Sequence, residues 1–232
     1  VPRVQTDLAD LDYQLYTFEV FHQDWRNKAI HYLTIPAIAF FCMVWASCWS
    51  LTGLPWLNGG LLYVALVAAV HARWSWKPGL RTLWATTTVS LALLWPVATV
   101  WAMVGAAEDP TLLAPTRLSM NPLLWIYAFG LLETLGHTFE PVPPHSSGSD
   151  RFVEMPDFWA RGGLWRFLAI PAMPTFFTVT SLVSNLHLYP TFVMRLLASS
   201  DHPYREQVEG VRHLAKEQWA TGQPPIHQVP PG

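Results

Sequence analysis

Long apolar runs separated by short polar or proline-bearing breaks dominate the chain. Several approach the ~20 residues that an α-helix needs to cross ~30 Å of hydrocarbon. The first extends from about Ala29 to Leu51, rich in Ile, Phe and Trp, and stops at the turn-forming Gly53-Leu54-Pro55. A second, shorter run covers about Trp56 to Ala72 and is closed by a basic turn carrying Arg73, Lys77 and Pro78. A third spans about Leu83 to Ala107 with Pro96 inside it, where a kink packed against neighbouring helices is expected. A fourth, about Pro122 to Phe139, opens on Asn121-Pro122, a capping side chain followed by proline at the first helical position. From about Leu164 to Leu197 the chain is apolar again but is broken by Pro171, Pro174 and Pro190, consistent with one kinked span or a re-entrant pair.

This pattern predicts an all-α fold, a polytopic integral membrane helical bundle of about five to six spans. Three parts are expected: an amphipathic N-terminal segment at 1–28, a transmembrane domain at 29–198, and a polar C-terminal part at 199–232. The last comprises a charged, weakly amphipathic helix over 201–219 and a disordered Pro-rich tail from Gln223. Composition agrees, with 51% of residues apolar and 13% charged against roughly 25% charged in soluble domains. A formal net charge of −2, with Lys and Arg scattered over loops, gives no basic surface for nucleic acid. Cys42 and Cys48 lie six residues apart on different faces of one helix, which speaks against a disulfide framework or a thiolate metal site. The acidic first 28 residues do not read as a signal peptide. Basic residues precede the first span, sit at Arg73, Lys77 and Arg81, and flank the 140–163 loop, so the amino terminus is expected on the cytoplasmic side of a multi-pass protein.

Candidate chemistry clusters near that same face. Glu133, His137 and Glu140 are spaced i, i+4 and i+7 on the fourth span and share one helical face. Carboxylates at bilayer depth cost several kcal/mol each unless a cation, metal or proton accompanies them. The blander reading pairs Glu133 with a proton or with a base such as Arg73 and leaves Glu140 as a solvated loop charge. His22 and His31, nine residues apart, would face nearly opposite ways on one straight helix. They converge only if the chain bends between them, and Asp24 or Asn27 could cap a fresh helix there.

The order His22, four residues, Asn27-Lys28, one residue, Ile30-His31, then Ile35-Pro36, with Gly136-His137-Thr138-Phe139-Glu140 and a following proline, resembles the Mpo1-like family. These are also known as the YGL010w-like or DUF962 membrane proteins. The two blocks cover about 35 residues; the spans between them match in hydropathy only. The resemblance implies an Fe(II)-dependent membrane dioxygenase that shortens 2-hydroxy fatty acids by one carbon, a step of fatty-acid α-oxidation. It implies His22, His31 and His137 as metal ligands and catalytic residues, with Glu140 as a carboxylate ligand or its hydrogen-bonded partner. Glu133 stands where the family pattern has a neutral Gln, which alters the charge beside the metal, and the loop after Glu140 is longer than usual. Two or three imidazoles with a carboxylate suit non-haem Fe(II) and leave positions for a fatty-acyl substrate and O₂. Lys28, Arg26 and Asn27 are candidate substrate-binding residues, the two bases alternatively serving as positive-inside anchors.

The alternative is a non-enzymatic subunit of a larger membrane complex, holding haem or a pigment through His71 or His137. Thirteen Trp keep that reading in view, although an aromatic belt at Trp25, Trp45, Trp56, Trp74, Trp84, Trp101 and Trp125 accounts for them without pigment. No two histidines lie within five residues of each other, which disfavours a di-iron desaturase. A proton-coupled transporter using Glu133 lacks visible repeats. Membrane-protein partners or a homo-oligomer fit either reading.

Overall fold

A computed structural model describes residues 11, 15, 16, 18, 19, 22–51, 54–108, 117, 119–139, 189–200 and 202–220. The 141–163 loop, most of the proline-broken 164–197 stretch and the tail lie outside these residues.

Asp24 starts the first helix. Its backbone is extended, with φ −72° and ψ 133°, and its carboxylate accepts the Arg26 N–H at 2.8 Å. Helix α1, Trp25–Ser47, follows, beginning four residues before the expected start of the first span and enclosing Pro36. It ends at Ser47 because the chain turns into a hairpin, β1 (Ser50–Leu51) antiparallel to β2 (Leu54–Asn58). The run expected as one span at 56–72 is therefore a strand followed by the 12-residue helix α2, Gly59–Val70. Asn58 sets that boundary, since its side chain accepts the Leu61 N–H at 3.1 Å as an N-cap. Gly59 makes it fit: a Cβ there would stand 2.5 Å from the Ala46 carbonyl oxygen.

A short helix α3, Ala72–Ser75, and a 3₁₀ turn, Pro78–Leu80, lead into α4, Arg81–Glu108, which runs unbroken through Pro96. Helix α5, Pro122–His137, lies where the fourth span was expected, with Asn121 accepting from the Leu123 and Leu124 N–H groups. Residues 189–197 form helix α6, and α7 is His202–Ala220, within a residue of expectation at each end.

Named contacts fix the packing. Helices α1 and α5 are antiparallel, with Asn27 beside Gly136, Thr34 bonded to Glu133, and Phe41 stacked on Trp125. Helices α2 and α4 are antiparallel as well: the Trp84 indole donates to the Ala68 carbonyl, and Asn58 bonds Trp95 and Thr99. Phe41 against Trp101 joins α1 to α4. Helix α7 buries Tyr204, Val208, Val211 and Ala215, a stripe at helical spacing. The Tyr204 hydroxyl accepts the Leu83 N–H in the first turn of α4, and Arg205 donates to the Ala198 and Ser199 carbonyls after α6.

The chain is mostly helical, and two helical stretches, Trp25–Ser47 and Pro78–Gly105, are long and apolar enough to cross a membrane; α2 and α5 supply shorter apolar segments. On α4, Val89, Leu93, Val97, Val100 and Val104 are all exposed at spacings of three and four, a continuous apolar stripe about 22 Å long. Trp25 and Trp76 are exposed at one end of the bundle, Trp49 and Trp56 at the other. The expected belt holds only in part, because Trp74 is buried and Trp101 and Trp125 pack around Phe41.

Candidate metal site

The bend required between His22 and His31 is present. Residues 18 and 19 are helical, His22 and Gln23 are not, and α1 begins afresh after Asp24. This folds the N-terminal segment back along the first turns of α1 in two levels, each joining residues nine apart. Glu19 meets Lys28 at 3.0 Å, and His22 Nε2 meets His31 Nε2 at 3.1 Å. Asp24, the hinge, is held by the Arg26 guanidinium at about 2, below the usual 3.8. Its cap is therefore fully present above about pH 4 and is lost only as pH falls toward 2.

The hydrogen bonds assign the imidazole protons. His22 Nδ1 lies 2.6 Å from the Phe18 carbonyl oxygen, and His31 Nδ1 lies 2.9 Å from that of Asn27. A carbonyl only accepts, so both Nδ1 atoms donate, and in neutral rings both Nε2 lone pairs are directed at the space between them. Two lone pairs 3.1 Å apart in a buried place repel unless a proton on one ring or a metal ion lies between them. Phe18 stacks on His22 at 4.1 Å and meets His31 edge-on, which fixes the ring planes.

The second block is brought to the same place by backbone packing. A Cβ on Gly136 would stand 2.6 Å from Asn27 Oδ1 and 3.4 Å from Ile30, so the absence of a side chain lets the end of α5 rest on the first turn of α1. Gly136→Val is expected to cost about 1–3 kcal/mol by overpacking, read as a lowered thermal midpoint.

The remaining candidates separate. Glu133 faces α1, but its carboxylate accepts the Thr34 hydroxyl at 2.8 Å, three residues along α1 from His31, instead of joining the imidazole pair. Asn27, weighed as a cap, is buried inside α1 beneath Gly136 because Asp24 takes the capping role. Arg26 is paired with Asp24 at 2.8 Å and lies over Phe139. His137 is the last residue of α5; its imidazole, and Glu140 entirely, fall outside the described residues. Among the described residues no three His, Cys, Asp or Glu side chains converge. Cys42 and Cys48 are free thiols within and just after α1, and His71 is stacked on Trp74 at 4.1 Å.

Sequence reading missed Glu19, Arg195 and Arg212. Glu19, 1% exposed, takes ion pairs from Lys28, from Arg212 at 3.3 Å and from Arg195. Arg195 also donates to the Tyr32 hydroxyl at 3.0 Å and lies over Phe18. The available signal was spacing: Glu19 precedes His22 by three residues, as Lys28 precedes His31.

No known family's profile matches the chain, and neither a curated protein nor a solved structure matches it. Fold and site together define a helical protein with a buried pair of facing imidazoles.

Proposed function

We propose that this chain is a polytopic membrane protein of about five to six spans, amino terminus cytoplasmic, whose paired imidazoles hold Fe(II) for oxidative shortening of 2-hydroxy fatty acids. The observation that carries the metal is the 3.1 Å separation of His22 and His31 Nε2, with both Nδ1 atoms committed to carbonyls. Metal–imidazole bonds of about 2.0–2.1 Å place neighbouring ligand nitrogens about 2.9–3.4 Å apart, between right-angled and tetrahedral arrangements. Two imidazoles on opposite sides of one haem iron would stand about 4 Å apart by the same bond lengths, which favours a mononuclear non-haem site over the haem-carrying subunit. The resemblance of the two histidine blocks to the Mpo1-like family supplies the reaction, with His137 and the Glu140 carboxylate completing the ligand set.

The exposed apolar stripe of α4 supports the bilayer, since water would leave it uncovered along most of the ~30 Å hydrocarbon depth. The reaction balances without a further reductant: R–CH(OH)–COOH and O₂ give R–COOH, CO₂ and H₂O, the four electrons leaving the two carbons being those that O₂ takes up. Iron held by these imidazoles would supply binding positions for the hydroxy acid and O₂ and a path for those electrons. The protein's residues keep the imidazoles in the Nδ1–H form through the Phe18 and Asn27 carbonyls, fix the rings against Phe18, and bury the pair from water.

Purified protein reconstituted anaerobically with Fe(II) is expected to convert 2-hydroxypalmitate to pentadecanoate and CO₂, consuming one O₂ per acid. Folded, iron-loaded protein without turnover would reject the reaction while leaving the metal site standing.

A further inference from the structure

Three cations converge on one carboxylate beside the imidazole pair. Glu19 is their shared partner, and among the described residues Lys28, Arg195 and Arg212 have no other carboxylate. Three positive charges against one negative leave an excess of two. Burial sharpens this, because the Arg195 side chain is 2% exposed, whereas Lys28 at 20% and Arg212 at 40% remain reachable from outside. The cations come from three distant parts of the chain, α1, α6 and α7, so their convergence is a product of the tertiary fold. Helix α7 is docked through Tyr204, Val208, Val211 and Ala215, which holds Arg212 over the N-terminal segment.

We infer that Lys28 and Arg212, the two cations reachable from outside, receive the carboxylate head of a single-chain fatty acid, with Glu19, itself anchored by the buried Arg195, keeping them in place. The inference rests on the acyl substrate proposed above and adds the group that recognises its head. Lys28 precedes His31 by three residues on α1, a rise of about 4.5 Å, so a head bound here lies within reach of the imidazole pair. Charge-assisted hydrogen bonds from Arg and Lys are the strong, orienting kind, and an uncharged ester head gains none of them.

The test uses metal-free full-length protein in a neutral detergent, so that failure of the iron reading leaves it intact. Binding of radiolabelled palmitate is compared with that of methyl palmitate, and dipalmitoyl phosphatidic acid is the competitor. Palmitate is expected to bind more tightly than its methyl ester, and Arg212→Gln and Lys28→Gln to weaken palmitate about tenfold or more without affecting the ester. Arg205→Gln, on the same helix but bonded to the Ala198 and Ser199 carbonyls, is expected to bind as wild type does. Should Arg212→Gln not fold, Lys28→Gln and the salt dependence of wild-type binding decide. Equal binding of acid and ester, or unchanged palmitate affinity in both variants, overturns the inference. So does displacement of palmitate by phosphatidic acid that excess palmitate cannot reverse, which would assign the cluster to a phospholipid head.

Discussion

His31→Ala is expected to lose bound iron and to lower 2-hydroxypalmitate turnover by about 100-fold or more, since even residues that only orient metal ligands are worth 10–100-fold. His22→Ala should match it, and the double variant should be little worse than either, because a shared cation makes the two contributions non-additive. The 3.1 Å approach of the Nε2 atoms is the reason. Each imidazole is held for the other by a separate carbonyl, so removing one leaves the second correctly aimed but unable to retain the ion alone. His213→Ala, at an exposed position on α7 beside Glu217, is the matched control and should retain both iron and turnover. A purely structural histidine pair would instead lower the thermal midpoint of metal-free protein in both variants without changing iron content.

Glu19→Gln should be the most destabilising single change among the ion-paired positions. It removes the one carboxylate that faces Arg195 among the described residues, and the Arg195 side chain is 2% exposed. Breaking a buried pair by deleting one partner costs about 3–5 kcal/mol, or roughly 6–20 °C in thermal midpoint for a chain of this size. Arg212→Gln, at 40% exposure, should cost far less. The double variant Glu19→Met with Arg195→Met is expected to recover much of the loss, since neither charge is then left buried alone. Circular dichroism melts of the four proteins in one detergent would measure this. A Glu19→Gln midpoint equal to wild type would mean that the cations find another anion and that Glu19 is not their anchor.

Local chemistry explains what could be read from the residues alone. Asn121-Pro122 marked the start of α5 because an N-cap followed by proline leaves few other choices, and the charged run at 201–219 marked α7. The need for a bend between His22 and His31 followed from helical geometry, and Asp24 supplies it. The 56–72 run was misread because apolar content alone does not separate a strand from a helix; Asn58-Gly59-Gly60, the cap and the close approach, carried the boundary. Glu133 was legible as a polar group needing a partner, but Thr34, ninety-nine residues away, is a tertiary fact. The Glu19 hub was hidden for the same reason, since Arg195 and Arg212 are 176 and 193 residues from it in sequence. Trp74 and Trp101 fell near apolar boundaries, yet Trp74 is buried and Trp101 packs half-buried against the core, because a tryptophan's place depends on what packs against it.

The most direct measurement is X-ray absorption at the iron edge on protein reconstituted anaerobically with Fe(II) and freed of excess metal, alongside His31→Ala treated identically. If His22 and His31 share the ion, wild-type protein retains about one iron per chain with imidazole scattering from nitrogens at about 2.1 Å, and the variant retains almost none. Iron that washes out of folded wild-type protein, or that stays with oxygen ligands alone and is unchanged in His31→Ala, would contradict a metal site at the imidazole pair.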